Sequence, residues 1–131
     1  MNWTHFGLAL VAAGVAISFS DWVFFGLLFH EKYMETPELW RASSSGKKIA
    51  WSMLIAVFGC AAFLLLCAWL GIHSYATALG LAALIWASIA LPIVLTSAIY
   101  LKYSPLFALS HSVGYLARLV IAAVAYVWLV G

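Results

Sequence analysis

The stretch Leu106 to Val130, LFALSHSVGYLARLVIAAVAYVWLV, is apolar apart from a few small polar residues and one full charge, Arg118, near its middle. About 20 apolar residues rising 1.5 Å each span the hydrocarbon core of a bilayer, so this run predicts a transmembrane helix. Arg118 then lies deep in lipid, where an unpaired guanidinium costs at least ~2.5–3.5 kcal/mol. A charge so placed needs a partner. The only acid inside another apolar run is Asp21, and the chain reads as built around that pair.

The composition agrees with a membrane fold. Of 131 residues, 67% are hydrophobic and 8% charged, against about 45–50% and about 25% in soluble domains. A domain this short buries only about two-thirds of its chain surface, so water would meet far too much apolar area. Residues 1–131 read as a single four-helix transmembrane domain with no separate soluble lobe. A net charge of +2 without a basic stripe excludes a nucleic-acid partner. The apolar stretch after Met1–Phe6 is too long for a signal-peptide core and reads as a retained helix.

Working back from the last run gives four spans, at about 4–29, 49–70, 75–101 and 106–130. In the first, Ala9 to Ala13 and Gly14 to Ser18 are small-xxx-small steps that favour close helix approach. Its end turns polar and aromatic, with Ser18, Ser20, Asp21, Trp22, Phe24 and Phe25. His30 to Lys48 is the one sizeable hydrophilic segment. Within it Thr36, Pro37 and Glu38 are helix-start signals that predict a short interfacial helix near 37–43, with Tyr33 and Trp40 at headgroup level. Ser43–Gly46 should end that helix. Pro92, well inside the third span, predicts a kink that frees a carbonyl near Ser88. Ser104 reads as an N-cap, with Pro105 at the first helical position of the last span. Cys60 and Cys67, seven apart on one helix, stand about 10 Å apart along the axis and read as packing residues rather than a disulfide.

Charge asymmetry gives an orientation. Lys32, Arg41, Lys47, Lys48 and Lys102 share one side, and the other side has no Lys or Arg. The positive-inside rule makes segments 30–48 and 102–105 cytoplasmic, with both termini outside. By residue counting, Asp21 lies ~13 Å and Arg118 ~19 Å from the cytoplasmic edge. Their side chains lean toward one another if the first and last spans are neighbours.

The last span adds His111, Tyr115 and Arg118 at i, i+4 and i+7, one helix face, flanked by Ser110, Ser112 and Gly114. Such a face looks into protein or water. With Trp22 and Phe25 beside Asp21, the residues Ser110, His111 and Tyr115 form a candidate pocket or polar face. The bland alternative is an ion pair that staples two helices, beside a histidine that only packs. No catalytic constellation, phosphate loop or clustered metal ligands are visible, and we expect no catalytic residue, metal or cofactor. Only a bis-histidine haem, on His5 with His73 or His30 with His111, has matching depths at all.

Three stretches carry a family resemblance: Trp22-Val23-Phe24-Phe25-Gly26-Leu27-Leu28-Phe29 with Lys32 and Trp40; Pro92 with Leu95, Thr96 and Tyr100; and Ser112-Val113-Gly114-Tyr115-Leu116. On these the chain resembles a family of small bacterial four-span integral membrane proteins catalogued as a domain of unknown function. The resemblance implies a four-helix membrane bundle in a bacterial cytoplasmic membrane and no established activity. After Phe29 this chain has His-Glu-Lys-Tyr where the family more usually shows a glycine-lysine step and an aromatic. By size the chain is also similar to small multidrug transporters, though Asp21 sits late in its span for that pattern. The expected function is a non-enzymatic membrane module, a homo-oligomer or an accessory subunit of a larger membrane complex. The alternative is a binder or proton-coupled carrier of small lipophilic molecules that uses Asp21 and Arg118.

Overall fold

The structure is a computed structural model, described for residues 1–23, 45–102 and 104–131. It is all-α, with no strand among the described residues: α1 Trp3–Asp21, α2 Ser45–Trp69, α3 Tyr75–Ile85, a π turn Trp86–Ala90, α4 Leu91–Tyr100 and α5 Pro105–Leu129. α3, the π turn and α4 form one continuous span, so four helices are long and apolar enough to cross a membrane. The expected interfacial helix near 37–43, the end of the first span at 24–29, and Phe25 and His30 lie outside the described residues.

Each start or turn has a local cause. Asn2 caps α1, its side-chain oxygen accepting from the Thr4 and His5 amides. The helix therefore begins a residue before the expected Thr4. α2 ends in a left-handed glycine, Gly71 with φ +63°, whose amide donates to Ala68 while the Ile72 amide donates to Cys67. That double closure satisfies two end carbonyls and needs a residue that adopts positive φ without strain. Ser74 then caps α3, its hydroxyl accepting from the Thr77 amide. Ser104 caps α5 in the same way, accepting from Phe107, with Pro105 at the first position.

Two details differ from the sequence reading. α2 starts at Ser45, so Gly46, Lys47 and Lys48 belong to the helix rather than to the preceding segment. Lysine is a good helix former, and both lysines stay exposed on the first turns. The effect of Pro92 appears one turn earlier, as a widened turn in which the Leu91 amide donates to Trp86, five residues back. Pro92 has no amide for the Ser88 carbonyl and its ring would crowd it, and the extra residue of a π turn makes that room.

α5 is the pivot. It packs most extensively on α1, and also meets α2, α3, the π turn and α4. Its buried residues fall on more than one side: Ser110, Ser112 and Gly114 in one half, Ala122, Ala123 and Tyr126 in the other. α1 presents Phe6, Ala9, Ala13 and Ile17 to the core and turns Leu8, Val11, Val15 and Phe19 outward. Of its two small-residue steps only Ala9–Ala13 is buried; Ser18 is exposed, with its hydroxyl on the Gly14 carbonyl. The core is alanine-rich and gathers toward the Gly71 turn and the end of α5, where Gly131 approaches the Ile72 carbonyl. Cys60 and Cys67 are free thiols buried in it. At the other end α2 is exposed from Ile49 to Ile55 and again from Val57 to Gly59. Small residues let helices approach closely at one end, and the larger Trp51, Leu54 and Phe58 face outward at the other.

Candidate functional site

The buried stripe of α1 continues from Ala13 and Ile17, at steps of four, to Asp21. The stripe lies against α5, where Arg118 sits four residues before Ala122 in the core. The two side chains meet in a fork. Arg118 Nε donates to Asp21 Oδ1 at 2.9 Å and Arg118 Nη2 donates to Oδ2 at 2.7 Å. The Arg118 side chain is 27% exposed and that of Asp21 24%, half-sheltered rather than free at a surface. Two parallel charge-assisted bonds are the strongest geometry a carboxylate and a guanidinium can adopt.

α5 supports the guanidinium from one side. Phe107 stacks on His111 with centroids 5.0 Å apart, His111 meets Tyr115 edge-on at 6.1 Å, and the Arg118 carbon lies 5.2 Å from the Tyr115 ring centre. The face His111, Tyr115, Arg118 is thus a ladder of rings that ends on a cation, with a cation–π contact at its top. Ser110 is buried below it, its hydroxyl donating to the Phe107 carbonyl.

Trp22 does not join this site. Ile17 and Asp21 hold the inner stripe, so the next residue, about 100° around the helix, points away. Trp22 is 57% exposed and pairs with the Phe19 ring. Phe25 is outside the described residues. Among the described residues no three of His, Cys, Asp and Glu gather to hold a metal ion.

A second polar tie was not anticipated. The Trp86 indole, at the start of the π turn, donates to the Ser112 carbonyl at 2.8 Å and approaches the Ser112 hydroxyl at 3.0 Å. Ser112 is fully buried. The available hint is that Trp86 lies mid-span, where an indole N–H finds no headgroup and needs a protein acceptor. α5 is therefore held to α1 by an ion pair and to the third span by an indole bond.

Between these ties lies a cleft. α2 leans on α1 and α5 but scarcely touches the third span. The gap is a cavity of about 280 Å³, walled by Ile17, Gly59, Phe63 and Ile89 among others, with Tyr115 and Arg118 on its α5 side. Its walls are apolar except where those two side chains enter.

The fold and the site together define an all-α integral membrane protein of four spans. No family model, curated protein or solved structure matches the chain.

Proposed function

We propose that this protein binds a small lipophilic molecule inside the bilayer, in the cleft beside the Asp21–Arg118 pair. The observation that carries this reading is the cleft itself: an apolar cavity of about 280 Å³ with a guanidinium and a phenol on one wall. Mostly apolar walls with a few placed polar groups are the general form of a small-molecule site. The ion pair serves two ends in this reading. It ties α1 to α5, and it holds a polar group at the cavity without leaving a net charge in lipid.

A second reading keeps the protein as an oligomerising module or accessory subunit of a larger membrane complex. It is favoured by α2, where Trp51, Leu54, Ile55 and Phe58, at i, i+3, i+4 and i+7, present one exposed apolar face. Native mass spectrometry of the full chain released from lipid nanodiscs separates the two. We expect a single chain carrying a small molecule, absent from Gly59→Leu, whose new side chain would fill the cleft. A stable multimer or a co-purified polypeptide, with no small molecule, would favour the second reading instead.

In either reading we place the protein in a bacterial cytoplasmic membrane, in line with the family it resembles. The lysine-bearing end around Lys47, Lys48 and Lys102 faces the cytoplasm and the Gly71–Ser74 turn faces out.

A further inference from the structure

We infer that the cleft takes a neutral, largely apolar small molecule bearing a carbonyl-type oxygen, and that this oxygen accepts from Arg118. The inference rests on the small-molecule reading above and names the class of ligand.

It follows from counting donors. A guanidinium carries five N–H groups. Asp21 accepts two of them, one from Nε and one from Nη2. The other three have no acceptor among the described residues. They are not sealed in, because no described, fully buried side-chain nitrogen or oxygen lacks a hydrogen bond. The neighbouring Tyr115 hydroxyl likewise has no hydrogen-bond partner among the described residues. The polar part of the wall is thus a donor surface. In the hydrocarbon region there is no water to satisfy it, so an acceptor brought by a ligand is strongly favoured.

Charge selects a neutral acceptor. Asp21 already balances Arg118, and a further anion would stand uncompensated in a low-dielectric site. Size and depth exclude bulk phospholipid as the occupant. A cavity of about 280 Å³ lies just below the range of about 300–1,000 Å³ usual for small-molecule sites. Arg118 is 13 positions beyond Pro105, or ~19 Å along the helix, far from the level of lipid ester carbonyls.

The test compares two probes with the same fused rings, fluorenone with a ketone and fluorene without one. Saturable uptake is measured for the full chain in nanodiscs over protein-free nanodiscs, for wild type and for Gly59→Leu. A Cβ at Gly59 meets no atom within 4 Å, so the substitution fills space without forcing the helices apart. We expect fluorenone to bind at least about tenfold more tightly than fluorene, as one hydrogen bond to a charged donor allows, and Gly59→Leu to abolish both. Equal binding of the two probes, lost in Gly59→Leu, overturns the carbonyl assignment and leaves the small-molecule reading standing. No saturable uptake of either probe overturns both.

Discussion

Trp86 shows how much one polar atom matters in this setting. Lipid tails are as apolar as leucine, so helices gain little by hiding greasy side chains from them, and polar links and close packing decide how spans associate. The serine hydroxyls of Ser18, Ser52 and Ser88 bond to carbonyls of their own helices. The Trp86 indole instead reaches Ser112, 26 residues away, on the pivot helix. Trp86→Phe keeps an aromatic ring and removes the bond. We expect a loss of about 1 kcal/mol, seen as a lower unfolding temperature in detergent; an unchanged temperature would show that the bond contributes nothing. Asp21 and Arg118 stand out in the sequence because each is a single charge inside an apolar run. Ser112 does not, since small polar residues both pack and accept, and spacing alone does not say which of seven tryptophans looks inward.

At the scale of elements, helix ends were legible where a capping side chain announces them. Ser104 with Pro105 marks the start of α5 because a hydroxyl three residues before an amide is a local device, written in a few adjacent residues. The start of α2 was not, because Lys47 and Lys48 suit both a solvated segment and the exposed first turns of a helix. The π turn was legible only by its cause. Pro92 announces a disturbance one turn earlier, but whether the helix bends or admits an extra residue depends on what lies across from it. Here the widened turn begins at Trp86, the residue bonded to α5. The cleft was not legible at all. It exists because α2 and the third span both lean on α5 and not on each other, which is a property of three helices that no single periodicity encodes.

For the whole molecule, the alanine-rich core at the Gly71 end and the looser packing at the lysine end make the two ends unlike. The proposed orientation puts the tight end outside. Cys60 and Cys67 are buried and should give little background, so single cysteines can report sidedness. Ser74→Cys should react with a membrane-impermeant maleimide in intact cells and Lys102→Cys only after permeabilisation; the reverse pattern would invert the topology.

The claim on which the rest depends is that α1 and α5, 97 residues apart at the pair, are joined by mutual neutralisation of Asp21 and Arg118. Removing one partner of a sheltered pair strands the other charge, at about 3–5 kcal/mol, whereas replacing both leaves two neutral groups that can still bond. The direct measurement is a double-mutant cycle of Asp21→Asn and Arg118→Gln, read as unfolding free energy in lipid nanodiscs. Each single change should cost several kcal/mol and the double change far less than their sum. Losses that simply add would show that the two residues stabilise the fold independently, and the pair would not be what holds the first helix to the last.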